Sequence, residues 1–131
     1  MKFFHKLFKE DATQKTSVSK EVTKVESPNP MLPKVQGILV LSRHPMGQPA
    51  VSALFQQILD AQKLQGHGFA EGCVAHHMVA DQSIDDQTYV AGAILRVFSS
   101  FGEDVLNRTK KFPYQIPGGD SGKFFVLYDR R

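Results

Sequence analysis

Three groups of side chains in this chain have the types that do chemistry. Ser121, within PGGDSGKFF, follows Asp86 and a histidine, His76 or His77, in the order His, Asp, Ser. In that order a hydroxyl attacks, an imidazole takes its proton and a carboxylate orients the imidazole. Cys73, His76 and His77, with His67 and Glu71 close by, are the types that hold zinc. On a helix, Cys73 and either histidine would meet one ion across a single turn. Arg43 and His44 follow an apolar run, and the glycines of PGGDSG can turn successive backbone N–H groups toward an anion.

GDSG resembles the phrase around the reactive serine of chymotrypsin-like enzymes, and GCVAHHM echoes the stretch around their histidine. That resemblance implies two barrels of many short strands. The present chain has helical patterning and lacks the GGP continuation, so PGGDSG reads as a glycine-rich turn before a strand. SRHPMG resembles the arginine–histidine phrase after the first strand of histidine phosphatases, with Pro45 where that phrase has glycine. The resemblance implies a second histidine and a further arginine around a phosphoryl group. It spans two residues and carries no roles across.

These residues must be held by a single modest core, since 131 residues make one domain. Hydrophobic content of 41% and charged content of 22% are ordinary for a soluble protein, and no apolar run reaches bilayer length. MKFFHKLFKED lacks a secretory hydrophobic run with its cleavage site. Cys73 is the only cysteine, which excludes an intramolecular disulfide and suits the cytoplasm.

Charge is unevenly divided. Residues 1–34 hold seven lysines against four acids, whereas residues 35–131 hold nine basic and nine acidic side chains. A neutral body is a weak electrostatic footprint for nucleic acid. The alternative nucleic-acid surface would be Arg108, Lys110, Lys111, Lys123, Arg130 and Arg131 around Phe112 and Tyr114, diluted by Glu103, Asp104, Asp120 and Asp129.

The chain divides into an aromatic–basic segment at 1–10, a flexible linker rich in Thr, Ser, Lys, Glu and Pro at 11–34, and one globular domain at 35–131. VQGILVLSR is a strand buried on both faces. AVSALFQQILDAQKLQG is a helix with Val51, Leu54, Phe55, Ile58 and Ala61 or Leu64 inward, stopped at Gly66. HGFAEGCVAHHMVADQ fits both periods and is read as a helix. A long helix is expected from an N-cap at Ser83 to Lys111, with Ser99, Ser100 and Gly102 able to bend it. KFFVLYDRR closes the chain as a strand. The expected fold is α/β or α+β, a sheet of two to three strands packed by two or three helices behind a flexible N-terminal arm.

In KFFHKLFK, a helix would line up Phe4, Leu7 and Phe8, with Phe3 nearby and Lys2, Lys6 and Lys9 around the polar edge. An aromatic stripe on an arm suits a protein groove, or the surface of an anionic membrane. The function expected is therefore that of a non-enzymatic accessory protein docking on a larger protein assembly, with no cofactor. The alternatives are a small hydrolase, metal-dependent through Cys73, His76 and His77 or based on His44, and a nucleic-acid-binding module.

Overall fold

A computed structural model describes residues 29–129. The architecture is α+β: a mixed four-stranded sheet with one helix on each face. The chain runs β1 (Val35–Ser42), α1 (Gln48–Leu64), β2 (Phe69–Val79), α2 (Gln87–Phe98), β3 (Thr109–Gln115) and β4 (Ser121–Tyr128). The strand order is β2-β1-β4-β3, with β1 parallel to β2 and antiparallel to β4, and with β3 and β4 forming a hairpin.

Covered on both sides, β1 is apolar at nearly every position, as its continuous ILVL run requires. Its alternate residues feed two cores. Ile38 and Val40 pack with Leu54 and Ile58 of α1 and Phe124 of β4. Leu39 and Leu41 pack with Ile94 and Phe98 of α2 and Phe125 of β4. Each such side chain contributes about 1.5–3 kcal/mol by leaving water.

The first helix follows its apolar period. Val51, Leu54, Ile58 and Ala61 are buried and Leu64 is exposed, so Ala61 is the last inward position of the expected pair. Pro49 sits in the first turn, where its missing N–H costs nothing. Asp86 caps α2, accepting from the Thr88 and Tyr89 N–H groups at 3.0 and 3.3 Å, a role expected of Ser83.

Two expected helices are corrected. Residues 69–79 form the strand β2, because i and i+4 share a side in a strand as they do in a helix. The recurrence of Phe69, Cys73 and His77 therefore fits both, and pairing along β1 decides it. The long helix ends at Phe98; two 3-10 turns, Ser99–Phe101 and Val105–Arg108, flank Gly102, whose φ of +123° does not continue a helix. Lys110 and Lys111, expected at the end of that helix, lie in β3. Both changes add strands, which brings the sheet from two or three to four.

Asn29 to Lys34, assigned to the linker, lie against the body. The Asn29 N–H donates to the Gly66 carbonyl at 2.8 Å, and Lys34 and Asp129 exchange two hydrogen bonds. His67 adds a 2.8 Å bond to the Pro33 carbonyl and stands 4.7 Å from the Tyr128 ring. Tyr128 donates to Gln62 Oε1 at 2.6 Å, and burial pushes its phenol up to about 12.

Candidate functional site

The side chains with chemical potential gather at the carboxyl end of β1. There the chain leaves β1 for α1 on one face of the sheet, and leaves the adjacent parallel β2 for α2 on the other. Diverging connections of this kind open a crevice at the strand ends, where α/β sheets commonly bind ligands.

Ser42 is the last residue of β1 and is fully buried. Its Oγ lies 2.8 Å from His77 Nε2 and 2.8 Å from the His44 carbonyl. A hydroxyl has one proton. When Ser42 donates it to the carbonyl, His77 donates its own Nε2–H to Ser42. Burial lowers the His77 pKa below the ordinary imidazole value, against a smaller upward pull from Asp120, and so favours this neutral ring.

His44 makes the second contact of this end. Its Nδ1–H donates to Asp120 Oδ1 at 2.8 Å; the imidazole is 74% exposed and the carboxylate 11%. Tyr114, buried on β3, donates to Asp120 Oδ2 at 3.3 Å. Burial, and then the Asp120 charge, push its phenol above the ordinary value. Burial alone would raise Asp120 itself; hydrogen bonds from His44, the Ser121 backbone, Tyr114 and the Arg43 backbone outweigh it and hold the carboxyl below the usual range.

Local sequence explains how Asp120 reaches both partners. Ile116 to Gly119 form a turn closed by the Gly119 N–H on the Ile116 carbonyl at 2.8 Å, with Pro117 second and Gly118 third at φ +72°. Opposite Tyr114, a Cβ on Gly122 would stand 2.5 Å from the Leu41 carbonyl oxygen and 2.8 Å from the Tyr114 hydroxyl. Only glycine lets the phenol lie there. The stretch PGGDSG thus spans the β3–β4 hairpin turn and the start of β4, and its Asp120 is the side chain that meets His44 and Tyr114.

Chemically, a histidine whose Nδ1 is held by a carboxylate has its Nε2 oriented for proton transfer. The serine that meets an imidazole is Ser42, which sequence reading passed over. Its signal was present only as the polar end of an apolar strand, and the partner histidine lies 35 residues away. His77 meets Ser42 rather than Ser121, and Asp86 is occupied as a helix cap.

The other expected sets are dispersed. Neighbours in a strand point to opposite faces, so His77 lies toward α1 beside Val40, while His76 pairs with Leu39 and lies toward α2. Cys73 packs against the α1 core, and burial raises its thiol pKa. Of the basic set, Arg108 is a structural fork: it donates to Gln36, to the Tyr128 and Phe101 carbonyls, and pairs with Asp104. Lys123 bonds Asp85 at 2.9 Å on the α2 face, where Lys111 lines the same hollow. Lys110 is exposed on β3; Arg130 and Arg131 lie outside the described residues. The aromatic–basic set Lys2, Phe3, Phe4, Lys6, Leu7, Phe8 and Lys9 also lies outside them.

One further surface adjoins this end of the sheet. Among the described residues β2 and β3 are its two edge strands. β2 has one acid, Glu71, and from Gly72 to Val79 it carries no Lys, Arg, Asp, Glu or Pro; Ala75, His76 and Val79 are exposed. β3 carries Lys110, Lys111 and Pro113. Among the described residues no helix is long and apolar enough to cross a membrane. No protein-family model, curated protein or solved structure matches this chain.

Proposed function

We propose that this chain is a non-enzymatic interaction protein that joins a larger protein assembly. Residues 1–10 are one contact and the open edge of β2 is the other. The observation that carries this reading is the inequality of the two sheet edges. An edge strand presents unpaired N–H and C=O groups that invite another chain, and proteins usually blunt it with lysine or proline. β3 is blunted in that way and β2 is not. An aromatic–basic segment at 1–10 would add groove docking through Phe4, Leu7 and Phe8.

The test uses full-length protein as bait in extracts of its native host. Deleting residues 1–10, or replacing Val79 with Lys to guard the edge, should abolish recovery of a saturable partner while circular dichroism stays unchanged. Recovery undiminished by both changes would refute the reading. Vesicles containing anionic lipid check whether residues 1–10 meet a membrane instead.

A second reading rests on the Asp120–His44 contact. It assigns His44 a proton-transfer role in a small hydrolase, with Arg43 beside it. Activated phosphate and carboxylate esters are the probes; a rate lost in both His44→Gln and Asp120→Asn would favour this reading over the first.

A further inference from the structure

We infer that the strand covering β2 is β2 of a second copy of this chain, paired antiparallel about a two-fold axis at His77. The inference rests on reading β2 as an interaction edge and names its occupant.

Backbone direction sets the register. The Ala80 N–H donates to the Ser42 carbonyl at 2.8 Å and so points toward β1. Because direction alternates along a strand, His76 and Met78 also turn inward, and Ala75, His77 and Val79 present N–H and C=O to the open edge. In an antiparallel self-pair with His77 opposite His77, Ala75 of each copy faces Val79 of the other. Every outward group from Ala75 to Val79 then gains a partner. A two-fold perpendicular to the sheet also keeps each side chain on its own face, so His76 faces Met78 on the α2 side and Val74 faces Ala80.

Side-chain chemistry favours a copy of the same strand. Self-pairing sets identical sequences against each other and is destabilised by like charges placed opposite. Gly72 to Ala80 contains no Lys, Arg, Asp or Glu. Val79 is 41% exposed, and this register lays it against Ala75 of the second copy. On β3 a two-fold at Lys110 or at Lys111 would set that lysine against its own copy.

The register makes a specific test possible with the full-length chain. Sedimentation equilibrium over a wide concentration range should give a dimer. Ala75→Glu and Val79→Lys should each weaken it by about tenfold or more. The double variant should recover most of the affinity, because the carboxylate introduced at position 75 then faces the ammonium introduced at position 79 of the other copy. Within one chain those two positions lie about 13 Å apart along the strand, so no contact inside a monomer can produce the rescue.

Thermal unfolding of each variant confirms that the fold is kept. A monomer at every concentration, a dimer indifferent to both single changes, or a double variant no better than the singles would overturn the inference. So would a monomer that dimerises only after residues 1–28 are removed, since the chain itself would then cover the edge. If the protein is monomeric but Val79→Lys still abolishes partner recovery, the dimer falls and the interaction edge stands. If recovery too is unaffected, the edge reading falls with it.

Discussion

β3 carries Lys110, Lys111 and Pro113 within seven residues, whereas β2 carries no Lys, Arg, Asp or Pro and has its one acid, Glu71, before Gly72. Both strands border the same sheet and, among the described residues, have one paired neighbour and one row of backbone groups left open. They differ in what they permit next. On β3, lysines carry charge into any approaching strand, and Pro113 withholds an N–H from a ladder. Its inward residues, Phe112 and Tyr114, serve the core, with Phe112 stacked on Phe124 at 5.0 Å. On β2 the row from Gly72 to Val79 has neither lysine nor proline, and His77 links it to the polar end of β1 through Ser42. An edge set with lysine and proline and an edge without them therefore coexist on one small sheet.

The largest effect we expect comes from undermining the guarded side. Gly122→Ala sets a methyl group 2.5 Å from the Leu41 carbonyl oxygen, so the β3–β4 hairpin must shift; chemical denaturation should report a loss of about 3 kcal/mol. If the loss is small, the Tyr114–Asp120 anchor is not what holds β3 in place.

Removing the guards should matter next. Lys110→Val, Lys111→Thr and Pro113→Thr together should leave unfolding stability within about 1 kcal/mol but produce species larger than those of the unsubstituted protein in light scattering. An unchanged oligomeric distribution would mean that the two edges do not differ through these residues.

Acid should weaken the β2 side first. Burial depresses the His77 pKa, so the unfolded chain binds its proton more readily than the folded one. Stability then falls as pH drops through the ordinary imidazole value, near 6.5, toward the lower folded value. Asp120, also depressed, contributes stability above the ordinary carboxylate value and loses it as pH falls through its folded pKa. Urea unfolding across pH should show both steps, and His77→Gln should remove only the upper one.

Least of all should follow from Ser121→Ala. The serine opens β4 just after the hairpin turn, and loss of its hydroxyl should change stability by no more than about 0.5 kcal/mol.

Some of this was legible from residue order. The ILVL run, the apolar period from Val51 to Ala61 and the closing KFFVLY strand carry their own patterns, because each buries a continuous face. β2 was not legible in that way. Its Phe69, Cys73, His77 spacing serves both periods, and its register passes an irregularity between Val35 and Gly37 that a single alternation does not fit. β3 was hidden by the basic run from Arg108 to Lys111, which has the composition of a helix end but lies largely on an edge.

The sequence by itself determined a mixed helix-and-sheet fold, α/β or α+β, with a buried first strand, the first helix and a glycine turn at PGGDSG, since local apolar period and turn chemistry suffice for these. Tertiary structure alone decided that Ser42 meets His77, that Asp120 meets His44 and Tyr114, and which strand lies at which edge. The Ser42–His77 and His44–Asp120 pairings join residues 35 and 76 positions apart, and only sheet order and register bring such residues within hydrogen-bond reach.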